Sequence, residues 1–133
     1  MISRRNAMFA TFAGLCAGAV PVVAKAKKSP VAQFDTDHDG TVDLAEAKKA
    51  AGATFERLDA DKDGTVTLKE LHGRLSRKDF AAGDPDHDKT LSKDEYLAIV
   101  EQRFKAADPD NDGTISEAEF DTRAGQALRR LLR

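Results

Sequence analysis

The sequence contains very few cysteine, tryptophan and tyrosine residues. Its 133 residues include one Cys, no Trp and one Tyr. A single cysteine cannot form an intramolecular disulfide, which excludes the class of small domains that disulfides stabilise. With 41% hydrophobic and 33% charged residues, the chain has enough apolar side chains for one modest core. Another interaction is therefore needed to stabilise so charged a fold.

Acidic residues are absent from the first 26 positions, which hold three basic residues and an apolar run at residues 7–24. This arrangement is typical of an export signal, and a suitable cleavage site follows at Ala26. We therefore predict a signal peptide at residues 1–26 and a mature chain at residues 27–133 that is periplasmic or secreted from a bacterium. The alternative is an uncleaved membrane anchor, because the run approaches the roughly 17–25 residues that a spanning helix needs.

The predicted mature chain is acidic. Removing residues 1–26 takes away three basic residues and no acid, so the formal net charge falls from −2 to −5. The mature chain also has no Cys, Met or Trp, because Cys16 and both methionines lie in the predicted signal. Since nucleic-acid binding needs a basic surface, we predict that nucleic acid is not a partner.

Four copies of one twelve-residue pattern hold most of the acids. Their first residues are 24, 25 and 24 positions apart, so the chain contains an internal repeat. Each copy has Asp at positions 1, 3 and 5, an apolar residue at 8, an oxygen-bearing residue at 9 and Glu at 12. These positions account for 17 of the 23 acids. The copies are DTDHDGTVDLAE (35–46), DADKDGTVTLKE (59–70), DPDHDKTLSKDE (84–95) and DPDNDGTISEAE (108–119).

Calcium chemistry explains why the acids alternate. Ca²⁺ is a hard cation that binds six to eight oxygens at roughly 2.3–2.6 Å, and three alternating Asp side chains reach one point when the backbone curls around it. Gly at position 6 allows that curl. Position 7 supplies a backbone carbonyl, position 9 binds directly or through water, and Glu at position 12 supplies both carboxylate oxygens. The pattern is that of the EF-hand calcium loop.

The chain resembles the EF-hand superfamily, in particular small exported bacterial EF-hand proteins with closely spaced loops. The resemblance covers the whole mature chain and implies an all-α array of helix–loop–helix hands that binds up to four Ca²⁺ ions. It also implies that adjacent loops pair through their position-8 residues, Val42, Val66, Leu91 and Ile115. The candidate metal ligands are Asp35, Asp37, Asp39, Thr41, Asp43, Glu46, Asp59, Asp61, Asp63, Thr65, Thr67, Glu70, Asp84, Asp86, Asp88, Thr90, Ser92, Glu95, Asp108, Asp110, Asp112, Thr114, Ser116 and Glu119.

Two features depart from the usual pattern. Lys89 stands at position 6 of the third loop, where a left-handed backbone and a nearby positive charge should make this site the weakest. Only 12 or 13 residues separate successive loops. That length suits one shared or kinked helix rather than two helices and a turn, and residues 96–107 have an apolar face at helical spacing. The helices therefore either kink, or the loops pair in a less usual way.

A break is predicted between the second and third loops. Ser76 and Asp79 form a candidate capping box. It divides the chain into two hand pairs, hands 1–2 at about 31–75 and hands 3–4 at about 76–133. A phenylalanine lies four positions before each of the last three loops and is expected in the core, namely Phe55, Phe80 and Phe104.

Other polar features do not indicate catalysis. His38 and His87 stand at position 4 of their loops, which points outward in this family, and His72 has no partner at metal-binding spacing, so all three are expected on the surface. The sequence shows no nucleophile–base pair and no zinc motif, and we predict that the chain is not an enzyme. The tail at residues 123–133 is basic and amphipathic. We expect its leucines to pack in the core, with contact to acidic lipid or an acidic partner as the alternative.

The leading functional prediction is an exported calcium-binding protein that acts as a buffer or is stabilised by calcium. The alternative is a calcium-dependent sensor that exposes an apolar surface to a protein partner. Calmodulin-like sensors open a Met-rich groove, and the predicted mature chain has no Met. The composition therefore favours the buffer or structural role.

The export signal can be tested with a reporter. Residues 3–9, SRRNAMF, resemble a twin-arginine motif. A fusion of residues 1–35 to a reporter enzyme should therefore cross the inner membrane, and the double change Arg4→Lys and Arg5→Lys should block it, because that route reads the arginine pair. Cell fractionation is the measurement. Export that persists in the double variant would assign general secretion as the route, and a reporter that stays in the cytoplasm would contradict the signal peptide.

Overall fold

Short helices alternate with the four loops throughout residues 29–133, the part of the chain that the computed structural model describes. The α-helices are α1 (Leu44–Leu58), α2 (Arg77–Gly83), α3 (Lys93–Ala107), α4 (Glu117–Asp121) and α5 (Arg123–Leu132). The strands are β1 (Val42–Asp43), β2 (Thr65–Thr67), β3 (Thr90–Ser92) and β4 (Thr114–Ile115), and a 3-10 helix (Val31–Gln33) precedes the first loop. The mainly helical fold is the one predicted, while the predicted signal peptide lies outside the described residues. No helix in this part of the chain is long and apolar enough to cross a membrane.

Positions 9 and 12 of three loops begin the helices that follow them. Asp43, Ser92 and Ser116 each accept a hydrogen bond from the backbone N–H of the Glu three residues later. That Glu in turn accepts one from the backbone N–H of the capping residue. These reciprocal bonds satisfy N–H groups that a helix leaves without partners in its first turn. The same side chains therefore end the loop and start the helix.

Two of the helices are each shared by two loops. α1 leaves the first loop and enters the second, and it continues without a break through Gly52. α3 joins the third loop to the fourth in the same way, which confirms the prediction of shared helices. The connection between the second and third loops is broken, as expected. Turns follow the second loop, and the Ser76 side chain then caps α2 by accepting a hydrogen bond from the Asp79 N–H. Only this half of the predicted capping box forms, because the Asp79 carboxylate accepts a hydrogen bond from the Ser76 hydroxyl, at 2.8 Å, and not from the Ser76 N–H.

The loops form two pairs, but not between neighbours in the sequence. β1 pairs with β4 through Val42 and Ile115, and β2 pairs with β3 through Val66 and Leu91, both antiparallel. The pairing of adjacent loops that the family resemblance implied is therefore wrong, and the loops pair in the less usual way that their short spacing left open. A helix of 15 residues is about 22 Å long, so it holds the two loops that it joins too far apart to pair. The boundary predicted near residue 76 stays a prediction, although β2 and β3 pair across it.

α1 and α3 lie side by side and run in opposite directions, because each loop pair joins the start of one helix to the end of the other. The rings of Phe55 and Tyr96 pack between them with centroids 5.6 Å apart. Ion pairs of 3.1 Å, Lys48 with Glu101 and Lys93 with Glu56, connect the two helices at the surface. Exposed ion pairs contribute little, so the apolar contact holds the helices together. The two loop pairs consequently lie at opposite ends of the helix pair.

The C-terminal helix α5 completes the core. Leu128 and Leu131 are fully buried, which confirms that the leucines of the tail pack inside. Tyr96 donates its hydroxyl proton to the carbonyl oxygen of Leu131 at 2.7 Å, and burial raises the pKa of Tyr96 to about 12. Gly125 packs so closely on α4 that a Cβ would collide with the carbonyl oxygen of Glu119. The phenylalanines expected in the core, Phe55, Phe80 and Phe104, are buried.

Candidate metal sites

Three carboxylates converge in each of the four loops. In the second, third and fourth loops they come from positions 1, 3 and 12, and in the first loop from positions 1, 3 and 5. Within each cluster the oxygens that face one another lie within 4.8 Å. The clusters are Asp35, Asp37 and Asp39; Asp59, Asp61 and Glu70; Asp84, Asp86 and Glu95; and Asp108, Asp110 and Glu119. The structure thus brings predicted ligands together in every loop.

The aspartate at position 1 fixes the turn of its loop. In the fourth loop the Asp108 carboxylate accepts hydrogen bonds from the backbone N–H of Asp112 at 3.2 Å and of Gly113 at 3.0 Å. Equivalent bonds are present in the other three loops. Asp108 is only 5% exposed. Position 1 therefore offers a carboxylate whose orientation is fixed by the backbone of its own loop.

The third loop makes the same turn with a lysine at position 6. Lys89 has a φ of 64°, and its N–H donates to Oδ2 of Asp84 at 2.9 Å. Gly113, at the same position of the fourth loop, has a φ of 83°. A left-handed backbone is unfavourable for a residue with a Cβ. The positive φ of Lys89 is the strained geometry that we expected to weaken the third site. The calcium affinity of that site stays a prediction.

Positions 5, 7 and 9 are hydrogen-bonded within their own loop. Asp112 accepts bonds from the N–H and the hydroxyl of Thr114 at 2.8 and 3.0 Å, and the other loops repeat this pair. The side chain at position 9 binds the backbone N–H of the glutamate and lies outside the clusters. Ligation by the position-7 carbonyl and by position 9 stays a prediction.

Glu46 is placed differently from the other three glutamates. Its Oε1 accepts hydrogen bonds from the N–H of Thr36 at 2.6 Å and from the Thr36 hydroxyl at 2.8 Å. Glu46 does not belong to the cluster of the first loop. Sequence reasoning missed Thr36, although it is the one hydroxyl residue at position 2 of the four loops.

Neighbouring carboxylates shift each other's pKa. In the fourth loop, contact with the Asp110 side chain holds the pKa of Asp108 below its usual value, and contact with the Asp108 side chain raises the pKa of Asp110. In the third loop, contact with Asp84 raises the pKa of Asp86. One acid of each pair thus binds a proton more tightly, which relieves the repulsion between the two charges. A cation that contacts both carboxylates relieves the same repulsion.

The donor set suits a hard cation. Every member of the four clusters is a carboxylate, and neither His nor Cys is among them in residues 29–133. Carboxylate oxygens are preferred ligands of Ca²⁺, whereas imidazole and thiolate suit transition metals. The three histidines, His38, His72 and His87, are exposed as expected. The residues present therefore fit the ion that the sequence pattern predicts.

Comparison with known families agrees with this geometry. A family model described as an EF-hand domain pair matches residues 47–120, more than half of the chain, and a second model, described as EF hand, matches residues 32–49. The chain therefore belongs to the EF-hand family, whose loops bind metal ions. It is similar to Lanmodulin from Methylorubrum extorquens, with 62% identity over 52 residues. That match covers 39% of this chain and 39% of Lanmodulin, so it spans less than half of the relative's length.

Replacing Lys89 by Gly should strengthen the third site. The change removes a backbone cost of about 1–2 kcal/mol that arises when the loop closes, so calcium affinity there should rise roughly tenfold. Lys89→Met is the matched control, because it removes the charge and keeps the Cβ. Calorimetric titration with calcium resolves the weakest site. An unchanged weakest site in Lys89→Gly would contradict this account of position 6, and equal gains in both variants would assign the effect to charge alone.

Proposed function

We propose that the mature chain is a calcium-binding protein whose four loops each bind one Ca²⁺ ion. The repetition of a carboxylate cluster in all four loops is the observation that supports this most directly. Chance crowding of surface acids would not bury an aspartate at the same loop position four times, as Asp35, Asp59, Asp84 and Asp108 are buried. The EF-hand family binds metal ions, and this proposal specifies calcium as the ion and four as the number of ions bound.

The ligands differ in how firmly they are held. The position-1 aspartate is buried and anchored by at least two backbone N–H groups, whereas the position-3 aspartate is exposed and accepts one backbone hydrogen bond, from the position-5 N–H. Glutamate at position 12 lies in the first turn of the following helix in the first, third and fourth loops, so binding through it connects the ion to a helix. A bound ion supplies the positive charge that offsets the repulsion among the carboxylates. In the fourth loop an ion bound by Glu119 is also connected to α5, because Gly125 of that helix packs on the backbone of Glu119.

We assign the chain a buffering or calcium-stabilised structural role rather than a sensor role. The leucines of α5 are buried in the core, and the predicted mature chain has no Met for a flexible binding groove. The alternative is a calcium-dependent sensor that exposes an apolar surface to a partner. An apolar dye that becomes fluorescent when calcium is added would favour the sensor. We also predict that the chain is not an enzyme and that its basic tail does not bind lipid.

A trivalent hard cation is the second class of ion to consider. The first loop carries five carboxylates and each of the others carries four at the ligand positions. This is more negative charge than one Ca²⁺ neutralises, and the attraction to a cation increases with its charge. The similarity to Lanmodulin directs the comparison to lanthanide ions. Competition between calcium and a lanthanide for the same sites, measured by calorimetry, decides which ion the loops prefer.

Export of the mature chain is part of the same proposal. Residues 1–26 support it, with their lack of acids, their apolar run and the cleavage site at Ala26. The absence of Cys from the mature sequence makes the fold independent of the redox state of its compartment. The reporter fusion described with the sequence tests this part separately from metal binding.

Calorimetry of residues 27–133 tests the number of sites. Four Ca²⁺ ions should bind, or three where calcium is too dilute to fill the third loop. Glu119→Gln should remove one site, because it deletes a carboxylate oxygen from a cluster. Glu117→Gln is the matched control, since it makes the same charge change two residues away on an exposed side chain outside the clusters. A stoichiometry of one or none, or equal losses in the two variants, would contradict the proposal.

A further inference from the structure

The first loop differs from the others at position 2. Thr36 has two donors, a backbone N–H and a hydroxyl, and both bind Oε1 of Glu46, at 2.6 and 2.8 Å. Glu46 is 8% exposed, and the glutamates of the other loops are less buried. The cluster of the first loop is also the one that lacks its position-12 glutamate. The Glu46 carboxylate, which accepts the hydrogen bonds of Thr36, is therefore placed differently from the position-12 carboxylates of the other three loops.

The other three loops form a natural comparison series at position 2. Ala60 has an N–H but no hydroxyl, and Pro85 and Pro109 have neither donor. In all three of these loops the glutamate lies with the aspartates at positions 1 and 3. The glutamate is thus displaced in the one loop whose position 2 offers both donors.

We propose that Thr36 is a positioning residue that controls the first metal site. This inference rests on the proposed function of the loops. Its two hydrogen bonds keep the Glu46 carboxylate out of the cluster that Asp35, Asp37 and Asp39 form, so an ion that binds there must compete with Thr36 for Glu46. Hydrogen bonds to an ionised carboxylate are stronger than those between neutral groups. The first site is therefore weaker than its five acids alone would make it.

The extra acid of the first loop offers a competing explanation, because Asp43 could repel Glu46. However, Oδ1 of Asp43 accepts a hydrogen bond from the Glu46 N–H at 2.7 Å, and Oε2 of Glu46 accepts one from the Asp43 N–H at 3.1 Å. This is the capping box that Ser92 and Ser116 form in the third and fourth loops. Since positions 9 and 12 are related in the same way in all three loops, the difference lies at Thr36.

Two substitutions remove the donors one after the other. Thr36→Val removes the hydroxyl and keeps the N–H, and Thr36→Pro removes both. The calcium concentration that fills the first loop should fall roughly three- to tenfold in Thr36→Pro and by less in Thr36→Val. Ala60→Pro is the matched control, because Glu70 already lies in its cluster and the second site should hardly change. Ala60→Thr should transfer the restraint and weaken the second site.

The filling of individual loops can be followed by NMR of the ¹⁵N-labelled mature chain. The position-6 N–H donates to the position-1 aspartate, so the amide resonances of Gly40, Gly64 and Gly113 report on loops 1, 2 and 4. A calcium titration gives the midpoint for each loop in one sample. The Thr36 amide proton is an independent readout. Where Gly113 has shifted and Gly40 has not, this proton should resonate far downfield, as expected for a short hydrogen bond to a carboxylate.

Three outcomes overturn the inference. An unchanged Gly40 midpoint in Thr36→Pro, with Gly64 and Gly113 titrating normally, would show that Thr36 does not restrain the site. A weaker first site in that variant would show that Thr36 supports Glu46 as a ligand. A larger gain in Asp43→Ser than in Thr36→Pro would assign the restraint to charge. If none of the three glycine resonances responds to calcium, the proposed function itself fails and this inference fails with it.

Discussion

Repulsion among the carboxylates of each loop is the interaction on which the rest of the structure depends. Three acids face one another within 4.8 Å in every loop, and hydrogen bonds from backbone N–H groups anchor the first of them. Contact with Asp108 raises the pKa of Asp110, and the charges of Asp112 and Glu119 act in the same direction, as expected for like charges that oppose one another. A cation turns this repulsion into attraction. Because the glutamates of three loops also begin α1, α3 and α4, loop closure is coupled to helix formation.

The short spacing between loops determines how this local effect spreads through the fold. One shared helix joins loops 1 and 2 and another joins loops 3 and 4, so the two loops of each such pair cannot meet. Loop 1 pairs instead with loop 4, which brings together residues from opposite ends of the described chain, Val42 and Ile115. Loop 2 pairs with loop 3 at the other end of the helices. Metal binding at either end is therefore expected to stabilise contacts between parts of the chain that are distant in sequence.

The sequence predicted what is local and missed what depends on distant contacts. The four loops, the shared helix over residues 96–107 and the cap at Ser76 follow from residue type and spacing within a few positions. Loop pairing did not follow, because it depends on the length of α1 and α3 and on their packing in three dimensions. Thr36 was missed because position 2 carries no ligand, and its role depends on the direction of the Glu46 side chain. The signal that could have found it is the hydroxyl at a position where two other loops have Pro.

Circular dichroism of residues 27–133 in a calcium chelator and in excess calcium tests the central claim most directly. Ionic strength must be matched between the two samples, since salt screens the same carboxylates. If cations hold this fold together, the chelated chain is partly unfolded, and calcium raises both the helix content and the melting temperature by a large amount. Spectra and melting curves that coincide in the two conditions would show that the fold is stable without the ions and would contradict the account.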